Sequence, residues 1–156
     1  MKISIVSDTH DNINNFKKAI NWINNENINL ILHCGDICNQ EIIDEAYKNF
    51  KGEIKFVKGN GDFGLYDIPE TMEIEIDGKK IFINHYPDVA KKMAESGKYN
   101  LVFYGHTHRP WLEEIGSCKL INPGELAGHR FKPTFAVYDT KTDILELKIL
   151  EILPNL

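Results

Sequence analysis

Apolar and polar positions run along this chain in two rhythms, one in each half. The opening Lys2-Ile3-Ser4-Ile5-Val6 is a short β-branched run and predicts a strand. Ile13, Phe16, Ile20 and Ile23 then recur at helical spacing among Asn and Lys, and Asp11 or Asn12 can cap the helix they predict. Ile28 to Leu32 is a compact apolar run, too short for a helix and suited to a buried strand. Ile42, Ile43, Ala46, Tyr47 and Phe50 mark the inner side of a second helix, and Ile54 to Val57 a third strand. Strand, helix, strand, helix, strand is the order of a parallel sheet covered by helices.

In the second half Met72, Ile74 and Ile76 alternate with Glu73, Glu75 and Asp77, and Asp77-Gly78 turns the chain into Lys80-Ile81-Phe82-Ile83, a hairpin signal. A short helix is predicted from Pro87 to Ser96, with Val89, Ala90, Met93 and Ala94 inward and Gly97 as its stop. Leu101 to Tyr104 reads as another buried strand. Two more hairpins are expected, Trp111–Ile115 with Lys119–Ile121 and Thr134–Tyr138 with Ile144–Ile152. No repeat, linker or low-complexity tract interrupts the chain. The expectation is one α/β domain over residues 1–156, with two packed β-sheets flanked by helices.

Composition narrows the function classes. The 156 residues carry a net charge of -5, which argues against bulk affinity for nucleic acid. No apolar run approaches the roughly 18 residues of a membrane helix, and the stretch after Lys2 is too short for a secretory signal. Three cysteines, Cys34, Cys38 and Cys118, include no CxxC pair and suit reduced thiols in a cytoplasmic protein. Trp111 and the later hairpins offer a surface on which a homo-oligomer could form.

The chemically capable residues gather where strands end. Ser7-Asp8-Thr9-His10 follows the first strand, His33-Cys34-Gly35-Asp36 the second and Gly59-Asn60-Gly61-Asp62 the third; Asn84-His85 and Gly105-His106-Thr107-His108 follow two later ones. In open α/β sheets ligands bind beyond the carboxyl ends of the strands. Taken singly, each residue has a structural explanation: an Asp can cap a helix, a lone His is more often structural, and Asn between glycines makes a turn. Their concentration points elsewhere, since burying so many polar groups unpaired would cost roughly 1–3 kcal/mol each. One zinc ion uses about four ligands, whereas two ions sharing a carboxylate account for Asp8, His10, Asp36, Asn60, His85, His106 and His108 together. The donors are oxygen and nitrogen only, which favours borderline or hard divalent ions over a thiolate site. The glycines at 35, 59 and 105 precede candidate ligands and are expected to let the backbone turn sharply.

Asp8-x-His10, Gly35-Asp36, Gly59-Asn60, His85 and Gly105-His106-x-His108, in this order and each after a strand, resemble the calcineurin-like metallophosphoesterases. The similarity is greatest to the small bacterial and archaeal phosphodiesterases and continues through Ile121-Asn122-Pro123-Gly124. It implies a four-layer sandwich and a cofactor of two divalent metal ions, Mn²⁺ or Ni²⁺ first, with Fe²⁺, Zn²⁺ or Mg²⁺ as alternatives. One ion would be held by Asp8, His10, Asp36 and His108, the other by Asp36, Asn60, His85 and His106. Hydroxide held between them would attack a small phosphoester substrate, with Asp36 bridging and Asn60 also steering a phosphate oxygen. Many relatives have Gly-Asn-His-Asp where this chain has Gly59-Asn60-Gly61-Asp62, so the residue proposed to protonate the leaving oxygen is absent; a lost general acid typically costs about 10²–10⁴-fold. Tyr86 replaces a common Gly and either stacks on a base or shields the pocket, or else packs in the core. His33 is expected to support Asp36, and Arg109 either reaches a phosphate or stays exposed. Phosphodiesterase activity on a small or nucleotide-like diester is the first reading. A phosphomonoesterase and a non-catalytic scaffold, as in the retromer subunit of this fold, are the alternatives.

Overall fold

The structure is a computed structural model and describes residues 1–154. The element order is β1 (Lys2–Val6), α1 (Ile13–Asn25), β2 (Leu30–His33), α2 (Gln40–Asn49), β3 (Glu53–Phe56), β4 (Thr71–Ile76), β5 (Lys79–Asn84), α3 (Pro87–Glu95), β6 (Leu101–Phe103), β7 (Trp111–Ile115), β8 (Cys118–Asn122), β9 (Thr134–Asp139) and β10 (Ile144–Ile149). One five-stranded sheet runs β10-β9-β1-β2-β3 and the other β4-β5-β6-β8-β7. Each has three parallel strands, β1, β2 and β3 in the first and β5, β6 and β8 in the second, with antiparallel partners beside them.

Period-two alternation divides each central strand between two apolar layers. Ile31, Phe135 and Val137 face α1 and α2 together with Phe16, Ile20, Ile23 and Ile42. Their neighbours Ile3, Ile5, Leu32 and Tyr138 point the other way, into the layer between the sheets, where they meet Ile81, Ile83, Leu101, Phe103 and Ile121. Phe82, Val102 and Leu120 turn outward to Ala90 and Ala94 of α3. The layers are therefore helices, sheet, sheet, helix: the four-layer sandwich.

Local signals set the ends of the helices. Asn12 and Asn39 cap α1 and α2, each accepting an N–H three residues on (3.1 Å in both cases), and Pro87 opens α3. The expected inner faces are too wide in two places. Tyr47 is exposed, because α2 covers the sheet with Ile42, Ile43 and Ala46, and Val89 is exposed because α3 meets the sheet with Ala90, Met93 and Ala94. The last strand stops at Ile149, and Leu150–Ile152 is a single 3₁₀ turn that brings Leu150 under α1. No helix among the described residues is long and apolar enough to cross a membrane.

Candidate metal centre

The carboxyl ends of the six parallel strands converge on one crevice, and backbone bonds between their loops fix its floor. The Asp8 N–H donates to the Gly35 carbonyl (2.9 Å), His10 N–H to the Asp36 carbonyl (3.1 Å) and Gly105 N–H to the His85 carbonyl (3.1 Å). Asp8, His10, Asp36, His106 and His108 all lie in the left-handed region, at φ between 42° and 70°. A non-glycine residue held there costs on the order of 1–3 kcal/mol and needs the surroundings to enforce it. Five of the seven candidate ligands are held in this way.

The seven residues form two groups that share Asp36. In the first, one donor atom from each of Asp8, His10, Asp36 and His108 lies within 4.8 Å of the others. His10 Nε2 is 3.4 Å from Asp36 Oδ2, 3.8 Å from Asp8 Oδ1 and 3.2 Å from His108 Nε2, and His108 Nε2 is 3.4 Å from Asp8 Oδ1. In the second, Asn60 Oδ1 is 2.8 Å from His106 Nδ1 and 3.2 Å from His85 Nε2. His85 Nε2 is in turn 3.3 Å from His106 Nδ1 and 3.5 Å from Asp36 Oδ1. The two oxygens of Asp36 thus face different groups.

Not all of these contacts can be ordinary hydrogen bonds. The Nδ1–H of His85 donates to the Cys34 carbonyl (2.8 Å) and that of His108 to Glu125 Oε2 (2.7 Å), which leaves Nε2 of each ring facing the crevice as the atom free to bind an ion. Every buried side-chain nitrogen or oxygen among the described residues has a neighbour at hydrogen-bonding distance. Here several of those neighbours are acceptors themselves. Lone pairs converging beside two carboxylates call for a cation. With metal–donor bonds of roughly 2.0–2.2 Å, ligands around one ion stand roughly 3.0–3.5 Å apart, close to the 2.8 to 3.8 Å found. The donor set therefore fits divalent metal ions in both groups. Without an ion, protons take the same role: the Asp8 contact, followed by Cys38, pushes His10 up to about 10. Burial tends to raise the Asp8 carboxyl, but His10, His85, Ser7 and His108 together hold it below its usual range.

A surrounding shell holds these groups in place. Asp62, fully buried, accepts the N–H groups of Asp36 (3.0 Å), Ile37 (2.6 Å), Cys38 (2.7 Å) and Gly59 (2.7 Å), tying the loops after β2 and β3 together. Glu125, also fully buried, takes the ring of His108 and the N–H groups of His129 (3.1 Å), Arg130 (2.6 Å) and Phe131 (2.6 Å). Burial raises the Glu125 carboxyl, yet the donors around it keep it below the ordinary value. Asn122 of the Asn-Pro-Gly segment donates to the Gly105 carbonyl (2.8 Å) and so secures the loop that carries His106 and His108. Asp62 and Glu125 are not among the ligands read from sequence. The signal available was a carboxylate followed or preceded by loop N–H groups, which only the folded loops make specific.

Several expectations change. His33 makes no hydrogen bond to the Asp36 side chain and acts one residue earlier: its ring accepts the Gly35 N–H (3.2 Å) and donates to Thr9 Oγ1 (2.8 Å), and burial lowers it to about 4, so it is neutral. Arg109 is exposed and lies over the Trp111 ring (5.7 Å). Tyr86 is not a core residue, being 38% exposed beside His85 and His106. Gly59 and Gly105 serve close approach rather than a sharp turn. A Cβ at Gly59 would sit 2.3 Å from Asp36 Oδ1, and one at Gly105 2.0 Å from Ser7 Oγ; of the three, only Gly35 has positive φ (96°).

Residues 1–143 match the model of the calcineurin-like phosphoesterase superfamily domain. Phosphodiesterase MJ0936 of Methanocaldococcus jannaschii is 38% identical over 157 residues, covering 90% of this chain and 94% of its own. A solved archaeal phosphodiesterase superposes with a TM-score of 0.89 at 34% identity, over 96% of this chain and 99% of the other. Vps29 of Entamoeba histolytica, solved with Zn²⁺, has a TM-score of 0.75 at 20% identity over 94% of this chain and 90% of its own, a likeness of fold alone.

Proposed function

The chain belongs to the calcineurin-like phosphoesterase superfamily, and from that premise we propose that it is a phosphodiesterase using two divalent ions on a small or nucleotide-like diester. The observation that carries the reading is Asp36, with Oδ2 3.4 Å from His10 Nε2 in one donor group and Oδ1 3.5 Å from His85 Nε2 in the other. Asp8, His10, Asp36 and His108 would hold the first ion, and Asp36, Asn60, His85 and His106 the second. Bound there, the ions supply Lewis acidity, which makes water a nucleophile near neutral pH and neutralises charge on phosphoryl oxygens. The oxygen-and-nitrogen donor set supports Mn²⁺ or Ni²⁺, with Fe²⁺, Zn²⁺ or Mg²⁺ as alternatives.

The chain's own residues do the rest. Asp36 is oriented by the Gly61 N–H on Oδ1 (2.6 Å) and by Asp62 on its own N–H. Asn60 is exposed, with Oδ1 turned toward the imidazoles; its amide N–H groups are left to donate to a phosphoryl oxygen. Gly61 offers no proton to the leaving oxygen. The space beside it is taken up: a Cβ there would stand 3.0 Å from Cys38 Sγ. That favours diesters whose leaving group departs as an anion. Free, largely buried thiols at Cys34 and Cys118 support a reducing, cytoplasmic setting.

Metal analysis tests the reading. Protein loaded with Mn²⁺ should retain about two ions per chain and hydrolyse bis(p-nitrophenyl) phosphate. Asp36→Asn should weaken both sites and abolish turnover. A loaded sample without stoichiometric metal would sink the mechanism.

A further inference from the structure

Next to Asn60 lies a cavity of about 330 Å³ lined by Lys58, Asn60, Phe63, Glu70 and Tyr86, among others, at the small end of the roughly 300–1,000 Å³ of ligand pockets. Two aromatic rings border it and neither serves the core. Phe63 is 87% exposed and Tyr86 38%. The backbone under each is nonetheless anchored. Phe63 lies between the buried Asp62, with its four backbone partners, and the buried Leu65, whose N–H donates to the Asp62 carbonyl (3.4 Å). Tyr86 precedes Pro87 at the start of α3, and its N–H donates to Asn84 Oδ1 (2.7 Å). Its ring stands 5.2 Å from that of His85, nearly perpendicular at 81°, and 5.5 Å from that of His106. Exposed aromatic surface on an anchored backbone contributes little to folding but can receive a flat partner with no rearrangement of the main chain.

The chemistry of the walls selects that partner. Aromatic faces stack on planar rings, and every nucleobase has such a face. Lys58, Glu70 and the Tyr86 hydroxyl add donors and acceptors at the margin, within reach of the polar edge of such a ring. We propose that this cavity is an aromatic subsite, taking the nucleobase or aryl group of a phosphodiester against Tyr86 and Phe63 while its phosphoryl group lies at Asn60. The assignment rests on the phosphodiesterase reading and adds the substrate class.

Calorimetric titration of the Mn²⁺-loaded protein tests it with two matched pairs, adenosine monophosphate against ribose phosphate and phenyl phosphate against methyl phosphate. The ring-bearing member should bind about tenfold tighter or more, and Phe63→Ala and Tyr86→Leu should each shrink that ratio by about threefold or more. A gain for adenosine monophosphate alone assigns the subsite to a nucleobase, and a gain in both pairs to planar rings in general. Equal affinities within both pairs, or ratios unmoved by both substitutions, would overturn the proposal. Failure of the phosphodiesterase reading would appear separately, as no metal-dependent hydrolysis of bis(p-nitrophenyl) phosphate whatever the binding ratios.

Discussion

At the hairpin end of the sandwich Asp143, in the left-handed region at φ 61°, receives Lys79 (3.0 Å), Lys119 and the hydroxyl of Tyr138, and Asp77, at φ 49°, receives the N-terminal ammonium (2.6 Å). At the crevice end Asp8 (φ 52°) and Asp36 (φ 56°) share that backbone geometry but form no ion pair with Lys or Arg among the described residues; their neighbours are imidazoles, a hydroxyl and backbone N–H groups. Both ends thus place strained aspartates on loops. At the hairpins each carboxylate is neutralised by the chain and half-exposed, so it stabilises the fold. In the crevice the carboxylates are buried, and the chain sets only imidazoles, a hydroxyl and backbone N–H groups against them. What separates the two kinds of acid is the neighbour: ammonium groups at the hairpins, imidazoles in the crevice.

The sharpest way to break this contrast is to remove a crevice ligand without disturbing the fold. His85 is a poor choice, because it is fully buried and its loss would leave the Cys34 carbonyl without its donor. His106 is exposed, and its φ of 70° is one that Asn tolerates. His106→Asn should lower turnover of aryl diesters by orders of magnitude with little change in melting temperature. Ile31→Ala, in the fully buried layer under α1 and α2, should do the reverse, costing roughly 2–5 kcal/mol of stability while activity per folded molecule stays near the parent value. Full activity in His106→Asn would remove it from the ligand set.

A smaller effect is expected one step out from the ligands. Glu125→Gln keeps the volume but replaces one acceptor oxygen with an NH₂ group facing N–H donors and the ring of His108. Such partners of a ligating histidine are typically worth about 10–100-fold in metal affinity. Titration of the folded variant with Mn²⁺ should show that loss at one ion of the two. Equal affinity at both would mean that Glu125 organises the Arg130 loop alone.

Much of the architecture was legible because alternation is a local property: Ile81-Phe82-Ile83 or Leu101-Val102-Phe103 carry in sequence the division between two apolar layers seen in the fold. The candidate ligands stood out because each follows a strand whose end is marked by the loss of apolar residues, and the structure brings all seven into one crevice. Non-local facts were not legible. Asp62 and Glu125 acquire their roles from N–H groups presented by other turns of the chain. Gly59 and Gly105 look like hinge glycines until Asp36 and Ser7 are placed against them. Tyr86 could not be assigned to core or pocket without knowing that α3 meets the sheet with Ala90, Met93 and Ala94.

The smallest expected effect lies at the hairpin end, and it tests the other half of the contrast. Lys119 first, then Tyr138 and Lys79, hold the Asp143 carboxyl well below the usual carboxylate range. Asp143→Asn removes the charge but leaves a side chain equally at ease at positive φ, so backbone strain drops out of the comparison. Because the carboxylate is half-exposed, its ion pairs should be worth under about 1 kcal/mol at neutral pH, and less in high salt. The sign follows from proton counting. In the unfolded chain the group titrates near its ordinary 3.8 and in the fold lower, so the unfolded state binds the extra proton between the two values. Its contribution is therefore complete above the ordinary value and fades as pH falls through the lowered one, where parent and variant should converge. Denaturant midpoints measured from neutral pH down into the acid limb would show that convergence, and turnover should not change. A loss of activity or of metal affinity in Asp143→Asn would mean that the two ends are coupled through the sheets, and the division between structural and ligand aspartates would fail.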